Sequence, residues 1–470
     1  METLNQFFDY LNAATWGWAL VPLLVVIGLY FTLMTRFVQF RYFGRMWSLA
    51  IPKKGEVAAG QISAWDALMM SVGGRVGGGN LAGVAVAITL GGPGAVFWMW
   101  SIALVGMATS LIECTLAQTY KRRGADGLFR GGPASYIRYG LGENYRWLVL
   151  FYSFGLLVAF AFGFNAFQGN TISTAVHHSL GVSPVITAFV LGPLAALIVT
   201  GGLRRVAKVS DVIVPVMCLL YLLMALAVMV MNIEQLPNVM HMIVANAFGW
   251  EEAVSGGMGT AVAAGFKRGL FSNEAGLGSV PNVAATADVK HPISQGIVQS
   301  LSVFIDTWVI CSCTAFIILL SPVYQPGGEL TSSALVQESL AVHFGTWVQY
   351  LLTFLLFLLS LSTIIYNYYL GETALAEFTQ SKGAAWVLKV LVVVCVMLGA
   401  AAPGATAVFF FSDPLMGILA VVNLMVIMTL LPVVLRLLND YRVQLARGEK
   451  SPRFEPDKFP DLDVDRDAWR

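Results

Sequence analysis

The apolar positions of this chain gather into long runs, parted by short stretches that are polar, basic or rich in glycine. Runs long enough to cross a bilayer as a helix, about 20 residues each, fall at 15–36, 63–90, 93–119, 147–176, 184–201, 209–231, 258–288, 292–320, 345–371, 385–402 and 413–437. The pattern predicts an all-α polytopic membrane protein with about 11 transmembrane helices, since a helix satisfies its own backbone in lipid.

Two runs are interrupted by poor helix formers. GGRVGGGNLAG, Gly73 to Gly83, puts six glycines, an arginine and an asparagine inside the second run. AAGFKRGLFSNEAGLGSVPN, Ala263 to Asn282, breaks the seventh with Gly265, Gly269, Gly276, Gly278 and Pro281. Glycine lets a helix unwind and lets a ligand approach the backbone. Freed N–H groups at the start of a half-helix can hold a carboxylate, and freed carbonyls can replace the water around a small cation. Such backbone is tolerated at membrane depth only where it lines a cavity or is covered by protein. The breaks lie about 200 residues apart, each opening a group of five runs, and an odd number inverts the second group. Paired breaks in corresponding positions of two halves point to a transporter binding site. Close helix packing is the other use of such glycines. A phosphate-cradling loop is excluded, because no Gly-Lys-Ser/Thr follows and no strand precedes.

The predicted organisation is one transmembrane transporter domain over 1–440, made of an extra helix (15–36), a first repeat (63–231) and an inverted second repeat (258–437). Residues 441–470 form a cytoplasmic tail that reads as a solvated extension without a packed core. The opening METLNQFFDYLNAATWGW lacks a basic leader, so the first apolar run is expected to stay in the mature protein.

Composition agrees that lipid is the main solvent. The chain is 57% hydrophobic and 12% charged, with mean hydropathy +0.72, where soluble proteins carry roughly 25% charged residues. A formal net charge of +1 gives no sign of a nucleic-acid partner. The five cysteines sit in apolar runs and read as small apolar filling, with no disulfide framework. Arg36, Arg41, Arg45, Lys53 and Lys54, then Lys121 to Arg146, then Arg204, Arg205 and Lys208 fall on one side when eleven runs are threaded alternately. The opposite loops carry Glu234, Glu251, Glu252, Glu329 and Glu338. This predicts a multi-pass protein of the bacterial cell (inner) membrane, N-terminus outside and C-terminus cytoplasmic.

GGPGAVFWMWSIALVG (Gly91 to Gly106), FSNEAGLGSVP (Phe271 to Pro281), RVGGGNLAGVA (Arg75 to Ala85) and FRGGPASYI (Phe129 to Ile137) resemble sequence blocks of the alanine or glycine:cation symporters, the sodium:alanine type within the amino acid-polyamine-organocation superfamily. The resemblance runs from about residue 10 to 440. It implies the five-plus-five inverted repeat of the leucine-transporter type with one extra N-terminal helix, and uptake of a small neutral amino acid driven by Na⁺ or H⁺. It also implies roles. Gly77, Gly78 and Gly79 would face the substrate carboxylate, with Gln168, Phe271, Ser272, Asn273 and Asn367 around the substrate. Asn80 would help hold one cation. The carbonyls of Gly73 and Val76 would face a second, opposite Ser362 and Thr363. Na⁺ is the expected coupling ion, with no other metal and no cofactor.

Ionisable residues inside a membrane are functional by default. Asp306 is a candidate cation ligand or proton site. Glu274 is either a ligand or the partner of Arg75, Lys267 or Arg268. Glu113 and Glu372 read as gating or packing residues near span ends, and Asn170 joins Gln168 as a polar candidate of the fourth run. A membrane enzyme would need a His-Asp, Ser-His or metal constellation that the sequence lacks, so no enzyme is expected. A channel usually builds its pore from oligomer symmetry. A secondary symporter for alanine or glycine is the expectation. The departure at Tyr366-Asn367, where some family members carry Gly-Trp, sets Asn367 either at the substrate, admitting a larger polar one such as glutamine or serine, or against a neighbouring helix; H⁺ coupling is the separate alternative to Na⁺.

Overall fold

The computed structural model describes Trp16 and residues 20–51, 57–58, 60–124, 126–200, 203–249, 257–328, 330, 332–402 and 405–469. Residues 1–15, and Lys53, Lys54, Glu251, Glu252 and Glu329 of the charge pattern, lie outside the described residues, as do the side chains of Arg204 and Arg205.

Every predicted run holds a helix or a pair of helices. α1 (Val21–Met34) lies in the first. The second holds α2 (Ala64–Arg75), an unwound link, a wide π-type turn over Gly79–Gly83 and α3 (Val84–Gly91). A capping box starts α2: Ser63 Oγ accepts from the Asp66 N–H (3.0 Å) while Asp66 Oδ2 accepts from the Ser63 N–H (2.9 Å). α4 (Gly94–Thr119) is unbroken. α5 (Arg146–Leu156) and α6 (Asn165–Leu180) are joined by a wide turn, Leu157–Phe164. α7 (Pro184–Val199) and α8 (Leu203–Met231) follow. The seventh run is broken into α9 (Gly257–Asn273) and α10 (Val280–Ala284). In the eighth, α11 (Pro292–Val303) and α12 (Ser312–Leu319) flank the wide turn Phe304–Cys311. α13 (Trp347–Ala376), α14 (Lys382–Ala401), α15 (Ala405–Thr429) and α16 (Leu431–Ala446) complete the bundle. A two-stranded hairpin after α4 pairs β1 (Arg122–Arg123) with β2 (Phe129–Arg130).

Among the described residues, six helical stretches are long and apolar enough to cross a membrane, or seven if the pair Asp413–Thr429 and Leu431–Ala446, bent by 57°, is one span. Val21–Met34, Gly79–Gly91 and Pro184–Leu197 are shorter apolar helices. Polarity is arranged for a lipid solvent. Phe189, Val230, Leu398 and Trp147 are among the most exposed large hydrophobic residues, whereas Arg75, Asn80, Glu113, Asp306 and Asn367 are buried. Glycines on α9 let it press on α4: a Cβ at Gly265 would come within 2.5 Å of the Ala95 carbonyl oxygen, and one at Gly269 within 2.6 Å of Ile102 Cγ2.

The C-terminal tail departs from its expectation of a solvated extension. The Phe454 N–H donates to the Lys290 carbonyl (2.8 Å). Its ring stacks on Phe459 (centroids 5.5 Å apart) and meets Trp469 edge-on at 5.0 Å. Asp463 pairs with Arg122 (2.8 Å), and Asp461 takes both guanidinium nitrogens of Arg436 (2.6 and 2.7 Å). Lys121 donates to the Ala287 carbonyl (3.0 Å) between the rings of Phe129 (4.1 Å) and Trp469 (4.3 Å). Charge dominates the tail's composition, but three spaced aromatic anchors suffice to dock it over the basic hairpin.

Candidate functional site

The first break begins where Val76 adopts an extended backbone (φ −78°, ψ 93°) at the end of α2. The Gly77 N–H donates to Asn80 Oδ1 (3.0 Å), and the Gly78 N–H donates to Gln168 Oε1 on α6 (3.2 Å). Asn80 Nδ2 donates to Asp306 Oδ1 at 2.7 Å and lies 3.4 Å from Cys311 Sγ. The other Asp306 oxygen accepts from Ser272 Oγ and Thr307 Oγ1, each at 2.8 Å. One buried carboxylate thus ties the first break to the end of α9 and to the wide turn after α11.

The hydroxyls of Ser362 and Thr363 on α13 both donate to the Gly73 carbonyl, at 2.9 and 3.1 Å, and also to the Leu359 carbonyl at 2.7 and 3.1 Å. The glycines permit this closeness. A Cβ at Gly77 would sit 2.5 Å from Thr363 Oγ1, one at Gly78 2.7 Å from Thr171 Oγ1, and one at Gly79 3.3 Å from the Phe271 ring. Phe271 itself stacks on Phe164 (4.8 Å, 17°) and meets Phe167 edge-on (5.6 Å, 89°), closing one side with aromatic carbon.

The second break is made by left-handed backbone at Glu274 (φ 51°), Gly276 (φ 87°) and Gly278 (φ 79°). Only glycine adopts this region without cost, so the non-glycine Glu274 is held there by its surroundings. Asn273 Oδ1 accepts from the Ala275 N–H (3.0 Å). Glu274 Oε2 accepts from Ser279 Oγ (2.5 Å) and from the Tyr366 hydroxyl (3.0 Å).

Of the two alternatives for Glu274, the ion pair to Arg75, Lys267 or Arg268 is corrected accordingly. A continuous helix would put Lys267 and Glu274, seven residues apart, on one face; the left-handed turn removes Glu274 from it. Lys267 Nζ lies 2.8 Å from Asp413 Oδ2. Arg75 donates to the Ser302 hydroxyl, to Ser110 Oγ (3.3 Å) and to the Gln299 carbonyl (3.5 Å).

The remaining candidates divide. Gly73, Val76 to Asn80, Gln168, Phe271 to Asn273, Asp306, Ser362 and Thr363 are all buried in one region around the two breaks. Asn367 is buried on α13, where its Nδ2 donates to Asn165 Oδ1 (3.2 Å) and its own Oδ1 has no partner. Asn170 faces the end of α14, donating to the Gly399 and Ala402 carbonyls (3.2 and 3.1 Å). Sequence reasoning underrated Glu113, whose carboxylate accepts from the N–H groups of Gly276 and Gly278. It also missed Cys311, whose Sγ is 3.2 Å from Ser272 Oγ. The signal for Glu113 was available: a lone acid in an apolar run.

The chain as a whole is similar to known proteins. Residues 1–456 match the model of the Sodium:alanine symporter family. The amino-acid carrier protein AlsT of Bacillus subtilis is 44% identical over 440 residues, covering 94% of this chain and 92% of the relative. The probable sodium/glutamine symporter GlnT of the same organism is 40% identical, covering 97% and 94%. The sodium/alanine symporter AgcS of Methanococcus maripaludis is 34% identical, covering 93% and 98%. In fold, the chain resembles a solved Na⁺-coupled sialic acid symporter in a substrate-bound outward-open state, with TM-score 0.50 and 12% identity over 78% of this chain and 79% of that one. The chain is therefore a multi-pass membrane transporter and belongs to the sodium:alanine symporter family.

Proposed function

We propose that this protein imports a small neutral amino acid, alanine or glycine, together with Na⁺, by alternating access. The observation that carries the reading is the convergence of both helix breaks on Asp306, through Asn80 from one side and Ser272 from the other. An unwound segment, a buried carboxylate and a set of neutral oxygens in one place suit a zwitterion and a monovalent cation. The N–H groups of Gly78 and Gly79 take the substrate carboxylate once Gln168 swings away. Gly77, Phe271, Ser272 and Asn273 line the seat. One Na⁺ is held near Asn80 and Asp306, and a second by the carbonyls of Gly73 and Val76 with the hydroxyls of Ser362 and Thr363. Burial of these residues requires a conformational change for entry, which a symporter needs and an open channel does not. Eleven crossings in a five-plus-five inverted repeat, over 63–231 and 258–437 after an extra helix, with the N-terminus outside and the C-terminus cytoplasmic, complete the reading.

A second reading, a longer polar substrate such as glutamine, is favoured by the unpartnered amide oxygen of buried Asn367, and a relative named for glutamine supports it. Uptake of labelled alanine into proteoliposomes, with Na⁺ and proton gradients imposed separately, tests both. Saturable uptake driven by Na⁺, absent from a folded Gly79→Val protein, is expected. Uptake driven by pH alone would remove the Na⁺ sites and leave Asp306 as proton carrier. Competition by glutamine that disappears in Asn367→Leu would establish the second reading.

A further inference from the structure

The two breaks differ in what is left for a ligand. In the second, every N–H from Glu274 to Gly278 already has an acceptor. Glu274 donates to the Leu270 carbonyl (2.8 Å), Ala275 to Asn273 Oδ1 (3.0 Å), and Leu277 to the Glu274 carbonyl (3.2 Å). Gly276 and Gly278 donate to the two oxygens of Glu113, each at 3.2 Å. Asn423 on α15 adds a third donor to that carboxylate (3.0 Å) and accepts the Tyr136 hydroxyl, while its Nδ2 also reaches the Gly276 carbonyl (2.9 Å). Glu113 is fully buried, and both its oxygens serve only as acceptors. A buried carboxylate with three N–H donors and two left-handed glycines facing it has the chemistry of a bound anion. In the first break, by contrast, the Gly78 N–H rests on Gln168, a neutral amide on a flexible stem.

We propose that Glu113 is the resident anion of the second helix break, a positioning residue that fills the N–H groups of Gly276 and Gly278 and so directs the substrate carboxylate to the first break. This rests on the reading that the substrate is an amino acid whose carboxylate needs backbone donors. The side chain acts through the backbone of Glu274 to Ser279 and touches no substrate.

The test is anion rescue in the full-length protein. Glu113→Ala vacates the carboxylate and frees two N–H groups, so it lowers alanine uptake by about tenfold or more. Formate at tens of millimolar then raises both its melting temperature and its uptake, while chloride at equal concentration does not. Glu113→Gln fills the space with an amide whose NH₂ faces a donor, so it loses uptake and gains nothing from formate. Wild-type uptake by Glu113→Gln overturns the proposal, as does a folded Glu113→Ala protein that formate neither stabilises nor reactivates. Should Glu113→Ala fail to fold, Glu113→Gln decides alone. Melting temperature keeps the outcomes separate: wild-type protein that transports no alanine defeats the functional reading, whereas selective stabilisation of Glu113→Ala by formate is independent of it.

Discussion

Asn80 uses both ends of its amide inside the protein, accepting the Gly77 N–H and donating to Asp306. Thr363 uses only its hydroxyl, shared between the Gly73 and Leu359 carbonyls. The two residues should therefore fail differently. Thr363→Val removes one neutral oxygen at nearly constant volume, so half-saturating Na⁺ should rise several-fold while alanine recognition at saturating Na⁺ holds. Asn80→Ala releases a backbone donor and strips a partner from a buried carboxylate, so both should worsen, with a cost on the order of 1–3 kcal/mol. Uptake against graded Na⁺ reads both variants. A Thr363→Val curve that superimposes on wild type would take that hydroxyl out of the cation site. The sequence exposed these residues because glycine, asparagine and paired hydroxyls stand out in apolar runs. Nothing local could reveal that Asn367 turns to Asn165, 202 positions away.

At the scale of elements, the helix starts are where protonation acts. His291 caps α11, its Nδ1 accepting the Ile293 N–H (3.1 Å), with Asp440 Oδ2 3.4 Å from Nε2 and the rings of Tyr441 and Phe454 packed against it. Burial pushes its pKa below the ordinary 6.5, against the opposing pull of Asp440 and with Lys458 adding to the depression. The folded state thus binds this proton less readily than the unfolded chain. Stability is full above about 6.5 and is lost as pH falls from there towards the lowered folded value. Asp440, held below its ordinary 3.8 by the hydrogen bond to His291, titrates under that window. The melting temperature should fall as the pH drops below about 6.5, and His291→Asn, which can still cap the helix, should flatten that slope. An unchanged slope in His291→Asn would assign the dependence to another group. The capping box at Ser63 belongs to this scale too.

Taken as a whole, the molecule is closed at its hairpin end by its own tail. Phe454, Phe459 and Ala468 are buried there, and Lys121 lies under Trp469. Each docked aromatic side chain contributes up to about 1.5–3 kcal/mol on the scale of apolar burial. Deleting residues 449–470 should lower the melting temperature by several degrees and open Lys121 to amine-reactive labels in detergent-solubilised protein. A truncated protein that melts like wild type, with Lys121 still protected, would return the tail to the status of a solvated extension.

The sequence by itself determined the parts of this protein that depend on composition and local pattern. Apolar length marks the helices, because lipid demands self-satisfied backbone over a fixed thickness. Glycine clusters mark the two breaks, because missing side chains ease unwinding and close helix contact there. Family membership follows from ordered blocks of such residues. Tertiary structure alone decided the partners of the buried polar groups. Glu113 meets residues more than 160 positions away, Glu274 meets Tyr366 instead of a lysine or arginine, and the tail folds back on Lys290 and Arg122. In an apolar surround any nearby donor can satisfy a carboxylate, so the choice is made by which helices touch and how they are rotated, and that information is spread over the whole chain.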